Sequence, residues 1–214
     1  MANTSISEVR ICNMALSRLG ASGTIEDLNE NSAEAQACNL WYNYARKQSL
    51  AGFDWSFARK RLTLATHSDP PPDGVWAYRY QYPSDCEIMR KIQNPSGAAN
   101  IVRTEDSLLD PDAIPFEIEL DSNQETKSIL CDLDDAVGVY TFDLTEVTLF
   151  SEFFISLLAT NIAAYIAFSV TGKQDMEEKM AFRYAQLLQT APASNANEQV
   201  GRPPRDAEWI RGRF

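Results

Sequence analysis

The sequence predicts an α+β protein: a four-helix core, made of two N-terminal and two C-terminal helices, with a small antiparallel β domain inserted between the pairs and an extended C-terminal tail. Three observations predict it. Apolar residues recur at three- and four-residue spacing near both ends of the chain. Between them runs a set of short segments with period-two alternation, separated by Pro, Gly, Asp and Asn. The charge follows the same division. From Thr104 to Glu146 stand thirteen acids and one base (Lys127), a net of −12, whereas the whole chain carries −11. The boundaries read as 1–60 plus 145–190 for the helical bundle, 61–144 for the acidic β insertion, and 191–214 for the tail.

The first helix is expected over Ile6 to Leu19. Ser5 with Glu8 three residues later is a capping-box pattern, and Gly20 is a natural stop. Val9, Cys12, Leu16 and Leu19 share one face. A second helix starts near Asn31 or Ser32 and ends by Gly52, with Ala37, Trp41, Tyr44 and Gln48 on one face and Ala33 and Ala45 permitting close approach. The short loop between the two makes them antiparallel neighbours. The strand candidates are the segments RLTLATH from Arg61, WAYRYQYP (Trp76 to Pro83), EIMRKI, PFEIEL, KSILCDL and VGVYTF. They suggest a small sheet or barrel.

A third helix begins near Thr145 or Glu146 and runs to Thr171-Gly172-Lys173. Val147 to Val170 is long and apolar enough to imitate a membrane span at ~1.5 Å per residue. Thr148, Glu152, Ser156 and Thr160 nevertheless draw a polar stripe along it. A buried central helix with one tolerant or subunit-facing stripe fits better, and no membrane is expected. The fourth helix covers about Gln174 to Thr190, with Met176, Met180, Tyr184 and Leu187 or Leu188 on one face. Ala191 to Phe214, rich in Pro, Asn, Ala and Gly, reads as extended or unfolded in the isolated chain.

Composition narrows the function. A hydrophobic content of 44% supports a packed core. Holding DNA by its phosphates needs a basic face, and a pI near 4.6 is the reverse on average. Cys12, Cys38, Cys86 and Cys131 show no metal-knuckle or redox spacing and read as buried thiols in a reducing compartment. The N-terminal MANTSISEVR has neither the basic nor the apolar region of a signal peptide. His67 is the one histidine, beside a proline-rich turn. Sequence patterns for a nucleophile elbow, a phosphate loop or a zinc helix do not occur. The segment from Asp132 to Gly138 resembles a calcium loop only loosely: Ala136 falls at position five and Gly138 at seven, where an EF-hand needs an oxygen ligand at five and Gly at six. It reads as a turn. No cofactor, metal or catalytic residue is expected, and the chain reads as a non-enzyme.

Two stretches remain. GFDWSFARKRLTLA, Gly52 to Ala65, sets Trp55 and Phe57 before Arg59, Lys60 and Arg61. Aromatics beside bases are what single-strand binders use, so an accessory nucleic-acid-binding protein acting through Trp55, Phe57 and Arg59–Arg61 is one reading. Plugs at the end of a helical hairpin with salt bridges to the acidic insertion is the other. A hydrolase built on paired carboxylates of the insertion is a further alternative. The chain's end, RPPRDAEWIRGRF, carries Arg202, Arg205, Trp209, Ile210, Arg211, Arg213 and Phe214. Arg and Trp are common interface anchors. A polar tether of up to about 80 Å, at ~3.3 Å per residue, ending in these residues reads as a docking peptide that orders on a partner.

Residues 8 to 65 resemble the tail tubular protein A family of head-to-tail adaptors in short-tailed bacteriophages. The resemblance lies in a first helix ending Leu19-Gly20, a short acidic loop over Ile25–Asn31, and a second helix followed by Trp55-Ser56-Phe57-Ala58 before Arg59. YRYQYPSDC, Tyr78 to Cys86, resembles a further segment of that family; beyond it only the layout matches. The resemblance implies a structural virion protein of the neck, assembled in the host bacterial cytoplasm. It implies a homo-oligomeric ring, a dodecamer, joining the portal protein to a tail nozzle (tubular protein B-like), with tail fibres as a further partner. Double-stranded DNA would pass through its lumen without sequence-specific binding, and the portal would be the partner of the C-terminal tail.

Overall fold

The computed structural model describes residues 6–21, 23–72, 74–95 and 114–196. It is an α+β fold with four helices and two small antiparallel sheets. Helix α1 spans Glu8–Leu19. Its cap is Ser7, whose hydroxyl accepts from the Arg10 amide at 3.2 Å, and not the expected Ser5, which lies outside the described residues. Leu19 and Gly20 end it as predicted: Gly20 sits at φ 72°, the left-handed conformation in which a side chain is strained, and its amide returns to Leu16 and Ser17. Asn13 then pins the following loop by a reciprocal pair of 2.9 Å hydrogen bonds to the backbone of Ile25.

Helix α2 spans Ala33–Ala51, capped by Ser32. Its buried face differs from the expected one. Ala35, Cys38, Tyr42, Ala45, Arg46, Ser49 and Leu50 face inward, while Tyr44 is 55% exposed and Trp41 half-buried. The aromatics lie at the rim of the contact with the third helix, where Trp41 stacks on Tyr165 at 4.7 Å. The small residues lie under it, because two helices approach closely only where side chains are short.

Strands β1 (Arg59–Thr63), β2 (Tyr78–Gln81), β3 (Cys86–Gln93), β4 (Phe116–Leu120), β5 (Lys127–Cys131) and β6 (Val137–Phe142) fall within or beside the expected segments. They form one sheet in the order β1-β6-β3 and another in the order β2-β5-β4. Two isolated bridges, Thr66 to Tyr80 and Ile92 to Ile114, join the sheets at opposite corners. Leu64, Tyr80, Met89, Ile92, Ile129 and Tyr140 fill the space between them. The Asp132–Gly138 segment is the turn that carries the chain from β5 in one sheet to β6 in the other.

After a short 3₁₀ turn at Val147–Leu149, helix α3 spans Glu152–Thr171. It starts at Ser151, whose hydroxyl accepts from the Phe154 amide, later than Thr145 or Glu146. Twelve of its residues are buried. It is apolar on every side because α1, α2 and α4 all pack on it. Thus α1 and α2 are joined chiefly through α3 and touch each other little, contrary to the expected hairpin. By length and composition α3 could cross a membrane, but 67% of its apolar window is buried in the fold. Two members of its polar stripe are engaged within the fold, where the Arg18 guanidinium of α1 donates to the Ser156 carbonyl (2.6 Å) and hydroxyl (2.9 Å) and to Thr160, while Glu152 is exposed. Thr148, assigned to that stripe, precedes the helix.

Helix α4 spans Gln174–Ala196 and turns Met176, Met180, Tyr184, Leu187 and Leu188 toward the core, as expected. It continues through Pro192 to residue 196, six residues past the expected boundary of the tail; the remainder of that tail, 197–214, lies outside the described residues. Ala191 is fully buried, and the Asn195 side chain accepts from the Ser56 amide at 3.0 Å.

Candidate interaction surface

The stretch after α2 is built as a plug. Trp55 is 1% exposed, and its indole N–H donates to the Ser49 carbonyl at 2.9 Å. Phe53, Phe57, Phe153 and Phe154 surround it with ring centroids 5.2–6.1 Å away. Phe57 is half-buried against Phe150 and Phe154. Base stacking needs an exposed ring face, which Trp55 does not offer. The bases beside it are also engaged. Arg59 pairs with Asp54 of the same turn at 2.7 Å, not with the acidic β unit. Lys60 pairs with Asp85 at 2.5 Å and lies 5.9 Å from the Phe142 ring. Arg61 is exposed on β1.

The β unit is tied to the helices by cations, of which Arg46 is buried. Arg46 of α2 meets Asp143 at 2.5 Å and the Leu144 carbonyl at 2.6 Å, and Lys47 meets Asp143 at 3.0 Å and Glu87 at 3.1 Å. Burial alone would raise the Asp143 carboxyl, but Arg46 and Lys47 outweigh it and hold the group below its ordinary range. The Arg90 guanidinium of β3 donates to the carbonyls of Leu50 (3.2 Å), Ala51 (2.9 Å) and Phe53 (2.6 Å), and to the Thr141 hydroxyl (3.0 Å). It caps the C-terminal end of α2 from a neighbouring strand.

The acids of the β unit mostly hold turns. Asp121 accepts from the Glu125 amide and the Thr126 hydroxyl, both at 2.8 Å. Asp69 accepts from the Ser122 amide and Asp132 from the Ala77 amide, both at 2.9 Å. His67 accepts from the Asp69 amide at 3.0 Å. The Thr126 hydroxyl, chiefly, draws Asp121 down, and the Ser122 side chain draws Asp69 down. A hydrolytic acid needs a carboxyl pushed upward; the displaced carboxyls among the described residues, Glu30, Asp69, Asp85, Asp121, Asp143 and Asp175, all move down. No group of three or more metal-ligating side chains occurs among the described residues. Cys12 and Cys38 are buried and free, and the neighbouring Cys38 thiol together with burial pushes the Cys12 thiol up.

The expected docking residues Arg202, Arg205, Trp209, Ile210, Arg211, Arg213 and Phe214 lie outside the described residues. Besides the exposed Val75, Leu149, Phe168 and Phe182, the described surface offers two features to a partner. Leu40 and Tyr44 project beside Trp41 and Tyr165 on the α2–α3 side. Strands β1 and β4 are terminal in their sheets and largely exposed. Sequence reasoning found these strands but not that they are edges, because strand order is a long-range property that period-two alternation does not carry. The chain matches no known family model, and no curated protein matches it.

Proposed function

We propose that this chain is a structural head-to-tail adaptor of a tailed bacteriophage, a ring subunit between portal and tail nozzle that forms part of the DNA ejection channel. The observation that carries the reading is the ordered resemblance over residues 8 to 65. Its marker residues are scaffold residues here. Leu19, Trp55 and Ala58 are buried in the helical core, and Gly20 stops α1. Asp85 of the second resembling segment holds Lys60 and the Tyr140 hydroxyl (2.9 Å), fastening β1 and β6 at one point. Such residues specify a fold to be repeated in an assembly. The acidic surface supports the same role: duplex DNA carries one charge per ~1.7 Å, and a wall that gripped phosphates would slow its passage. The nucleic-acid reading requires an exposed Trp55 and is not favoured.

The test is light scattering of the purified chain, alone and mixed with the portal ring of its phage. The expected result is stoichiometric association, lost on deletion of Pro203–Phe214. A chain that ignores the portal and instead binds DNA in low salt overturns the reading.

A further inference from the structure

The β unit has two open edges of opposite character. Among the described residues β1, Arg59-Lys60-Arg61-Leu62-Thr63, pairs with β6 alone, and β4, Phe116-Glu117-Ile118-Glu119-Leu120, with β5 alone. They lie at opposite corners. The Thr66–Tyr80 bridge, with His67 N–H to the Arg79 carbonyl at 2.9 Å and Gln81 N–H to the Ala65 carbonyl at 2.8 Å, ties the chain beyond β1 to β2, and the Ile92–Ile114 bridge ties the chain before β4 to β3, so the unpaired edge is confined to β1 and β4 themselves. Along β1, residues 60 to 63 are all exposed, and Leu62 is 44% exposed. Along β4, Ile118 is 41% and Leu120 55% exposed. Exposed edges with apolar side chains are templates for another strand.

The alternation of the two strands matches face by face. Leu62 lies opposite Gly138, beside the buried Leu64 and Met89, so Leu62 and Lys60 share the face toward the β core. Ile118 lies opposite the buried Ile129, so Phe116, Ile118 and Leu120 share the core-side face of β4. Arg59 and Arg61 take the outer face of β1, and Glu117 and Glu119 the outer face of β4. Setting one edge beside the other therefore brings Arg61 to Glu119, and Leu62 to Ile118 and Leu120, in a single step, while Arg59 stays with Asp54 and Glu117 with the Trp76 indole N–H. A slip by one residue destroys both matches. Like edges do not fit: β1 against β1 sets three bases against three, and β4 against β4 sets acids against acids. Arg61 has no ion pair among the described residues, and the Glu119 contact to Arg79 is long, at 3.4 Å, with the Glu119 side chain 40% exposed.

We propose that copies of this chain join head to tail, β1 of one pairing with β4 of the next. The contact is heterologous, so it propagates, and it closes into a ring if the rotation between copies permits. Its closure as a neck ring rests on the adaptor reading; the contact itself does not.

Native mass spectrometry of the full chain at high concentration and low salt tests it. The wild type is expected to associate, and added salt to weaken it. Leu62→Glu blocks β1 and leaves β4 open; Leu120→Glu does the reverse. Each alone is expected to associate at least about tenfold more weakly, since a charge replaces a buried apolar contact. Mixed together, they form a 1:1 dimer that grows no further. Circular dichroism establishes that both fold, and should either misfold, an Arg61→Cys, Glu119→Cys double variant is expected to cross-link into a ladder on oxidation. A wild type that stays monomeric, single variants that associate like wild type, a mixture that does not dimerise, or the absence of the ladder overturns the proposal. Portal association is read separately: its loss sinks the adaptor reading and leaves the edge contact standing, and failure of the mixed variants to pair does the converse.

Discussion

Arg90 shows how one side chain joins two parts of the molecule. The last turn of a helix leaves carbonyls without amide partners and carries partial negative charge. Here the planar guanidinium from β3 reaches three carbonyls at the end of α2 while its Nε–H holds Thr141 of β6. Arg90→Met is expected to cost about 3 kcal/mol in urea unfolding, the scale of charged hydrogen bonds lost from a semi-buried site. Arg90→Lys should restore only part, because a single ammonium cannot span the same acceptors. Asp143 sets the acid limit. Its carboxyl, despite the opposing effect of burial, is held below its unfolded value of about 3.9 by Arg46 and Lys47. A depressed carboxyl contributes stability that is present above the unfolded value and lost as pH falls through the folded one. Unfolding monitored against pH should therefore show stability falling on acidification below about pH 4. Asp143→Asn should lower stability at neutral pH and flatten that acid limb; an unchanged limb would place the acid sensitivity elsewhere.

Among the elements, β6 is the one with least room. Gly138 lies where an added Cβ would stand 2.9 Å from Leu64 Cδ2 and 3.2 Å from Met89 Cε, both buried side chains. Gly138→Ala should destabilise by about 1 kcal/mol and Gly138→Val by about 3 kcal/mol, the range for overpacking a filled core, read from the denaturation midpoint. The glycine also explains which features the sequence made legible. Local rules found all six strands, since each is a short alternating run between turn residues. They found α1 and its Gly20 stop, and the plug at Trp55, where large side chains follow the end of α2. They missed what depends on the partner. Trp41 and Tyr44 drew attention away from the small-residue face of α2 at Ala35, Cys38, Ala45 and Ser49, which is the face α3 needs. Ser156 and Thr160 read as a tolerant or subunit-facing stripe because Arg18, their partner, is more than a hundred residues away. The Pro, Asn, Ala and Gly content from Ala191 read as an extended tail, yet the buried Ala191 and the Asn195–Ser56 bond hold α4 in register beyond Pro192. The candidate surface was half legible: the bases of β1 and the acids of β4 are plain in the sequence, but their places at opposite sheet edges are not.

At the scale of the whole molecule the question is what DNA would meet. The chain carries −11, and the cations of the described residues are largely committed. Arg18 is bound within the helical core, Arg46 and Lys47 share Asp143, Arg59 holds Asp54, Lys60 holds Asp85, Arg79 reaches Glu119, and Arg90 caps α2. Phosphate binding would have to break these pairs and also overcome repulsion from the acidic β unit. Each phosphate neutralised by a protein contributes about 0.9 to the slope of log affinity against log salt on duplex DNA. With the cations of the described residues so largely committed, little affinity is expected from which to draw such a slope. The expected outcome is that duplex DNA migrates unretarded in a low-salt gel at every chain concentration up to that at which copies associate. Head-to-tail pairing through β1 would make the result firmer, because it covers Arg61, the base of that strand with no ion pair among the described residues, with Glu119 of the neighbour. Retardation with a steep salt slope in the wild type, abolished by Arg61→Glu, would mean that β1 faces nucleic acid rather than a second copy, and both the conduit and the edge contact would fall together.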